Sequence, residues 1–153
     1  MALNMIPIHE LKNHIGEKIH LSDWFEITQE RVDAFGEAIE DRQWIHCDVE
    51  RSKAGPFGGT IVHGPLMLSL LGHLSGGVDT IPEGIEFFMA YGYDKVRFLA
   101  PVPVGSRVRN RGVLSDVTEK GGGRYVMKVT NTLEVEGSNK PAMVAEVLGL
   151  VVT

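Results

Sequence analysis

The sequence is poor in the features that mark secreted and membrane proteins. Cys47 is its single cysteine, so an internal disulfide is excluded, and a lone thiol suits a reducing compartment. The first ten residues lack a basic segment followed by an apolar run, so they do not predict a signal peptide. The most apolar segment, 65–74, is far shorter than the ~20 residues that a membrane-spanning helix requires. We therefore expect a cytoplasmic protein.

Positive charge is in short supply as well. The 15 Lys and Arg residues are outnumbered by 20 Asp and Glu residues, which gives a formal net charge of -5. This balance argues against nucleic acid as the main partner. A chain of 153 residues is long enough to build one hydrophobic core, and it contains no tandem repeat or low-complexity segment. We predict a single domain that spans residues 1–153.

The first part of the chain predicts few regular elements. Residues 1–17 are interpreted as a loosely structured lead, and residues 18–27 as a short strand. A surface helix is predicted over 28–40, because Thr28 suits the N-cap position and the apolar residues that follow form one stripe. Residues 48–62 begin with charged side chains and continue with glycines and a proline, which is typical of an irregular loop.

Strands dominate residues 82–153. Stretches rich in Val, Phe, Tyr and Thr alternate there with segments rich in Gly and Pro, a pattern that predicts antiparallel strands. The predicted strands are 85–99, 107–118, 124–136 and 142–152. Residues 121–123, three glycines, are not followed by a helix, so we interpret them as a hairpin and not as a phosphate-binding loop.

A central helix is predicted over 64–75. Its apolar residues point in every direction at 3.6 residues per turn, so we expect it to be buried on all sides. Pro65 suits the first helical position and places Gly64 at the N-cap. The amides at this end favour a carbonyl oxygen that acquires negative charge, although the glycine also fits a role in a tight turn alone. A sheet wrapped around one buried helix, with a second helix ahead of it, is an α+β fold.

Asp41 and His46 are the first candidates for chemistry. Their spacing does not suit one helical face, but it suits a turn that brings the two side chains together. A carboxylate and an imidazole that titrates near neutral pH can hold and deprotonate a water molecule. The same residues also fit a helix cap and a hydrogen-bonded core histidine, and the spacing alone does not decide between these interpretations.

Three other residues are candidates with weaker patterns. His63 precedes Gly64 and is interpreted as holding its loop through a bond to the backbone, with a catalytic role as the alternative. His73 lies on the central helix, where we expect a core histidine with its hydrogen bonds satisfied. Cys47 follows His46, and its thiol is expected to point away from the pair. The histidines and Cys47 lack the close paired spacing of a structural zinc site, so no metal is predicted.

Six motifs occur in a fixed order along the chain. They are I-T-Q-E-R-V-D-A-F at 27–35, D-R-Q-W-I-H-C-D at 41–48, G-P-F-G-G-T-I-V-H-G at 55–64, Y-G-Y-D-K-V-R-F at 91–98, P-V-P-V-G-S-R-V-R at 101–109 and L-E-V-E-G-S-N-K-P-A at 133–142. Each is weak alone, but together they resemble the MaoC-like dehydratases, the family of (R)-specific enoyl-CoA hydratases and 3-hydroxyacyl thioester dehydratases. The likeness covers most of the chain from residue 20 onward. It is strongest to stand-alone members, some of which carry a nodulation-protein-N-like label.

The resemblance implies a hot-dog fold and an enzyme of fatty acid metabolism. Such a hydro-lyase adds water reversibly to a trans-2-enoyl thioester and forms the (R)-3-hydroxyacyl thioester. In this family the residues that correspond to Asp41 and His46 bind the water, and the backbone N–H at Gly64 contacts the thioester oxygen. No cofactor is implied.

Further substrate contacts and partners also follow from the resemblance. His63, Gly59 and Arg97 are candidates for contacts to the substrate. Lys95, Arg97, Arg107 and Arg109 are either partners for CoA phosphates or a solvated strand face. The substrate carrier is CoA or an acyl carrier protein. The resemblance also implies a homodimer, with a higher oligomer as the alternative, because hot-dog domains pair through their sheets.

Two departures and two alternatives accompany this hypothesis. Gly72 stands where some members of the family have a serine, with Ser69 nearby, and Ala90 stands where close relatives tend to have Asn. A hot-dog thioesterase, which would release the CoA thiol, is one alternative. A non-catalytic protein that binds acyl thioesters is the other. The intact pair of Asp41 and His46 argues against both.

Overall fold

The computed structural model describes residues 4–75 and 80–153 of the chain. Its helices are α1 (Gln29–Ile39), α2 (Trp44–Cys47), α3 (Val49–Lys53), α4 (Gly64–Ser69) and α5 (Leu71–Leu74), and a 3-10 helix covers Ile8–His14. Its strands are β1 (Asn4–Ile6), β2 (Lys18–Leu21), β3 (Phe25–Glu26), β4 (Thr80–Pro82), β5 (Phe87–Phe98), β6 (Arg107–Gly121), β7 (Arg124–Val135) and β8 (Met143–Val152). None of the helices in the described part of the chain is long and apolar enough to cross a membrane.

One antiparallel sheet forms most of the molecule. Its strand order is β2-β6-β7-β8-β5, and β3 also pairs with β6. Four of its strands, β5 to β8, correspond to those that the sequence predicts, and β6 extends three residues beyond the predicted end at 118. The predicted hairpin joins β6 to β7, and residues 121, 122 and 123 all have positive φ, which glycine adopts at little cost.

The two faces of the sheet differ in polarity. Along β6, Val108, Asn110 and Leu114 are buried, whereas Arg109 and Arg111 lie between them on the opposite face. The buried face covers α4 and α5, because alternate residues of a strand point to opposite sides. The α+β prediction therefore agrees with the structure.

The central helix differs from its prediction. It is divided into α4 and α5 at Leu70, and His63, not Gly64, is the N-cap residue. The expectation that the helix is buried on all sides is wrong, because Pro65, Ser69 and His73 form one exposed side. These residues are four positions apart and so share a face. The leucines between these positions dominate the apolar pattern, so the sequence did not indicate this exposed side.

The N-terminal part is more ordered than the sequence indicates. In place of a loosely structured lead, β1 pairs in parallel with β4, and the 3-10 helix buries Leu11. Leu11 packs in a second apolar cluster with Ile19 and Leu114, separate from the cluster around α4. A single buried leucine in a polar segment gives little periodic signal, which explains the wrong prediction. Residues 1–3 lie outside the described residues.

Two other segments also need correction. The predicted strand over 18–27 is interrupted between β2 and β3, where Ser22 bonds to the backbone of Asn110. The predicted irregular loop over 48–62 begins with α3. Asp48 caps this helix by accepting a hydrogen bond from the amide of Arg51 at 2.9 Å, a local signal that charge patterning alone does not distinguish from a loop.

Candidate active site

His46 lies in α2 and is almost fully buried. Its Nδ1 atom is 2.6 Å from the carbonyl oxygen of Ile61. Because a carbonyl oxygen only accepts hydrogen bonds, Nδ1 carries the ring proton, and Nε2 of the neutral ring keeps its lone pair. The hydrogen bond therefore fixes the tautomer in which Nε2 is able to act as a base.

The backbone of His46 is held by a side chain that the sequence patterns did not indicate. Gln29, in the first turn of α1, donates from Nε2 to the carbonyl oxygen of His46 at 2.8 Å. Its Oε1 accepts a bond from the hydroxyl of Thr60 at 2.6 Å. Gln29 thus links α2 to the segment that contains Ile61. It lies within the first of the six motifs, but nothing in its spacing from His46 indicates this contact.

Asp41 lies in the turn between α1 and α2 and is half-buried. A carboxylate oxygen of Asp41, a ring nitrogen of His46 and a ring nitrogen of His63 all lie within 4.8 Å of one another. The turn thus brings together the side chains of Asp41 and His46, as their spacing predicts. Gln43 follows in the same turn, and its amide is 3.4 Å from Oδ1 of Asp41.

An ion pair and a glycine hold this turn against α1. Arg42 makes a two-pronged contact with Glu37, and this guanidinium lowers the pKa of the Glu37 carboxyl through hydrogen bonds and charge. A Cβ atom on Gly36 would lie 2.8 Å from the carbonyl oxygen of Asp41 and 3.3 Å from Cε1 of His63. The close approach of the turn to α1 therefore requires glycine at position 36.

His63 is fully buried and contacts both Asp41 and His46. Its Nε2 atom donates to the backbone carbonyl of Asp41 at 3.0 Å. Its ring stacks on that of His46 with centroids 3.9 Å apart and planes inclined by 26°, and Phe35 packs edge-on at 5.4 Å. The bond to the backbone that the sequence suggests for His63 is present, but the bond joins it to the turn of Asp41.

The three side chains do not fit a shared metal ion, although they are close together. A zinc ion lies about 2.0–2.1 Å from each histidine nitrogen and close to the plane of each ring. The rings of His46 and His63 are stacked, so their planes do not meet near either nitrogen. In addition, Nδ1 of His46 and Nε2 of His63 both donate to carbonyl oxygens.

His46 and Gly64 line the same cleft, which has a volume of about 400 Å³. Gly64 is the first residue of α4, so its amide has no acceptor within the helix. The ring of Phe98 lies against Gly64, where a Cβ atom would come within 3.1 Å of it. Most other lining residues are apolar: Ile61, Val62, Pro65, Met67, Leu99, Ala100 and Pro101. The cleft therefore combines an imidazole, the amide at the start of a helix and an apolar wall.

The remaining candidates lie elsewhere. Among the residues that the structure describes, neither Gly59 nor Arg97 lines the cleft, and Arg97 projects from the edge strand β5. His73 is not the predicted core histidine, because its ring is exposed and packs edge-on against Phe25. Gly72 is also exposed, and the hydroxyl of Ser69 is bonded to the carbonyl of Pro65.

Cys47 has the properties of a structural thiol. Burial raises the pKa of the Cys47 thiol, and the nearby carboxylate of Asp33 raises it further. A raised pKa keeps the sulfur protonated at neutral pH, whereas the thiolate is the nucleophilic form. The geometry thus favours His46 and Asp41 over Cys47 as the reactive groups.

A long antiparallel sheet wrapped around a short central helix is the hot-dog fold. The solved (R)-hydratase of A. caviae involved in PHA biosynthesis shares it, with a TM-score of 0.69 and 23% sequence identity. The alignment covers 87% of this chain and 95% of that chain.

Sequence comparison places the chain within this fold class. The family described as MaoC like domain matches residues 10–137. The 3-hydroxyacyl-thioester dehydratase Z of Mycobacterium tuberculosis is 50% identical over 139 residues, which are 91% of each chain. Nodulation protein N of Rhizobium leguminosarum bv. viciae is 39% identical over 145 residues, 94% of this chain and 89% of that protein. The chain belongs to the MaoC-like dehydratase family.

Proposed function

We propose that this protein is a hydro-lyase that interconverts trans-2-enoyl thioesters and (R)-3-hydroxyacyl thioesters. The observation that carries the proposal is the fixed tautomer of His46, whose bare Nε2 belongs to a ring that lines the same cleft as the Gly64 amide. The name of the relative that is 50% identical, a 3-hydroxyacyl-thioester dehydratase, supports the same chemistry. The apolar wall of the cleft suits an acyl chain.

In the direction of hydration, Asp41 and His46 hold one water molecule. Nε2 of His46 removes a proton from this water while its oxygen forms a bond to C3 of the substrate. The electron pair of the C2–C3 double bond moves toward the thioester carbonyl, and C2 then receives the proton that Nε2 of His46 took from the water, which returns the ring to its neutral form. The product has gained one hydroxyl at C3 and one hydrogen at C2, and dehydration follows the same path in reverse.

The amide of Gly64 stabilises the charge that develops on the thioester oxygen during this step. A backbone N–H at the start of a helix is held in place before the reaction, so it need not reorganise as the charge forms. A donor of this kind contributes about 2.7–4 kcal/mol to transition-state stabilisation in other enzymes. Gly64 is suited to this position because a side chain there would collide with Phe98.

The test is hydration of crotonyl-CoA by the purified protein, followed by the loss of enoyl-thioester absorbance. We expect the (R)-3-hydroxy product from the wild type, and a rate lowered at least ~10²–10⁴-fold in Asp41→Asn and in His46→Gln. Asp116→Asn makes the same chemical change at an exposed site on β6 and should leave the rate unchanged. Thermal unfolding of all variants checks that the losses are not caused by misfolding.

Two outcomes would contradict the proposal. Release of free CoA thiol, detected with a thiol reagent, would indicate a thioesterase. Binding of enoyl-CoA substrates of several chain lengths without turnover would indicate a non-catalytic protein that binds acyl thioesters.

We infer further that the working form is a homodimer joined through β5. This strand lies at the edge of the sheet and pairs with β8 alone. Large apolar residues on and beside it are exposed: Phe87, Phe88, Met89, Tyr91, Tyr93, Phe98 and Leu99. An apolar sheet edge of this length is a template for pairing with another strand. A second copy would cover it and would border the active cleft, since Phe98 and Leu99 line both.

A further inference from the structure

A second cleft lies on the outer face of the sheet, opposite α4 and α5. It has a volume of about 520 Å³. Its walls are Trp24, outward-facing residues of β6 and β7, and residues 137–141, which connect β7 to β8. The cleft is therefore separate from the active cleft and uses the face of the sheet that the catalytic residues do not.

The charge of this outer cleft opposes that of the whole protein. Arg109, Arg111 and Lys140 line it, with Glu134 as its one carboxylate. The chain as a whole has a formal net charge of -5. A concave site with excess positive charge in an acidic protein attracts compact anions, because the field is concentrated between its walls.

Two of the three cations are available to an anion. Arg109 is engaged, since its Nε is 2.7 Å from the carboxylate of Glu134 and its guanidinium lies 4.5 Å over the Trp24 ring. Arg111 reaches the same carboxylate only at 3.5 Å, and 47% of its side chain is exposed. Within residues 4–75 and 80–153, Lys140 makes no ion pair, and it too is exposed.

The aromatic wall indicates what kind of anion would fit. Trp24 and the Arg109 guanidinium form a stacked pair, and flat groups of this type stack on nucleobases. A cleft that combines such a pair with the exposed cations of Arg111 and Lys140 suits a nucleotide that carries several phosphates. It suits the acidic helix of a carrier protein less well, because such a helix offers no flat ring to stack on the Trp24–Arg109 pair.

The outer cleft adjoins the active cleft at one end of the sheet. The connection that forms its wall leads directly into Ala142, whose carbonyl oxygen accepts the amides of Leu99 at 2.7 Å and Ala100 at 3.4 Å. Leu99 and Ala100 line the active cleft. The walls of the two clefts are therefore joined at this end of the sheet by the hydrogen bonds from Leu99 and Ala100 to Ala142.

We propose that the outer cleft binds the adenosine 3′,5′-bisphosphate end of coenzyme A while the acyl thioester occupies the active cleft. Arg111 and Lys140 contact the phosphates, and the adenine packs beside Trp24 and Arg109. The inference rests on the proposed hydration of enoyl thioesters, and it specifies CoA as the carrier of the acyl group.

The kinetic test compares crotonyl-CoA with crotonyl-pantetheine, which has the same reacting group but no nucleotide. We expect Arg111→Ala and Lys140→Ala each to raise the KM for crotonyl-CoA about tenfold with kcat unchanged, because binding away from the reacting atoms is lost equally in ground and transition states. Neither change should affect crotonyl-pantetheine. Arg124→Ala removes an exposed arginine at the opposite end of β7 and should alter neither substrate.

A direct binding test separates this inference from the proposed function. Titration calorimetry of the wild type with adenosine 3′,5′-bisphosphate should show saturable binding that is lost in Arg111→Ala and kept in Arg124→Ala, whether or not the protein turns over any thioester. Absence of wild-type binding would overturn the inference. It would also be overturned if the variants impaired both thioesters equally, or impaired only crotonyl-acyl carrier protein. Failure of the wild type to hydrate either small thioester would count against the proposed function alone.

Discussion

At the scale of single residues, the proposed catalytic pair of Asp41 and His46 depends on a third side chain, and of these three described residues only His46 lines the cleft. His63 donates to the backbone of Asp41 and stacks on the ring of His46, so it fixes the separation of two groups that belong to different elements. Both histidines have one nitrogen committed to a carbonyl oxygen. The arrangement leaves Nε2 of His46 as the ring nitrogen for proton transfer.

Substitution of His63 should therefore lower kcat and leave KM nearly unchanged. His63→Phe keeps an aromatic ring against His46 but loses the bond to Asp41, and His63→Gln keeps an amide donor but loses the stack. Loss of one neutral hydrogen bond costs about 0.5–1.5 kcal/mol, so we expect kcat to fall about tenfold in His63→Phe. Steady-state kinetics on crotonyl-CoA measures the effect, and a rise in KM at constant kcat would instead place His63 in contact with the substrate.

The sequence predicted part of this site and missed the rest for a physical reason. Asp41, His46 and Gly64 are recognisable because a carboxylate, an imidazole and a glycine before a helix suit the proposed chemistry and lie within the motifs. Gln29 and Ile61 act through contacts between distant segments, and Ile61 uses only its carbonyl oxygen. Any residue type offers a carbonyl, so no residue pattern indicates this function.

At the scale of elements, helix α1 acts as the support for the turn of Asp41. Gly36 is in the interior of this helix, where glycine normally costs about 1 kcal/mol relative to alanine. Here a methyl group would lie 2.8 Å from the Asp41 carbonyl oxygen, which is backbone and not free to move aside. The unfavourable residue is retained because it lets the helix approach the turn.

Gly36 and Gly72 should respond in opposite directions to replacement by alanine. Gly36→Ala should lower the free energy of unfolding by about 1–3 kcal/mol through overpacking, and it should lower kcat by moving Asp41. Gly72 lies in α5 with open space around its Cβ position, so Gly72→Ala should raise that free energy by about 0.5–1 kcal/mol. Urea denaturation of both variants measures the difference. Equal effects would mean that contact with the turn does not determine the residue at position 36.

The elements were predicted best where one periodicity dominates. Strands β6 and β7 alternate between buried and outward residues, and the sequence shows the same alternation of apolar and polar residues. The division of the central helix at Leu70 could not be predicted, because a helix of leucines has the same periodicity whether it is continuous or broken. The pairing of β1 with β4 joins residues more than 70 positions apart, and local pattern contains no information about such a partner.

At the scale of the whole molecule, the edge of the sheet at β5 exposes a group of large apolar residues, which we have proposed as the dimer interface. We expect the wild type to be a dimer at micromolar concentration, and Met89→Lys to shift it toward the monomer by placing a charge on this edge. Ile39→Lys is the matched control, because Ile39 is a similarly exposed apolar residue at the end of α1. Analytical ultracentrifugation distinguishes the species, and a wild type that sediments as a monomer would contradict the proposed dimer.

Residues 60–64 connect the proposed base to the proposed oxyanion donor through one short stretch of backbone. The Ile61 carbonyl orients His46, and Gly64 follows three residues later. Backbone bonds from Val62 to Val102 and from Val104 to Thr60 tie the stretch to the neighbouring chain. Displacement of this stretch therefore moves the carbonyl that orients His46 and the amide of Gly64 together. The proposed base and oxyanion donor are thus aligned by one piece of backbone and not by two independent loops.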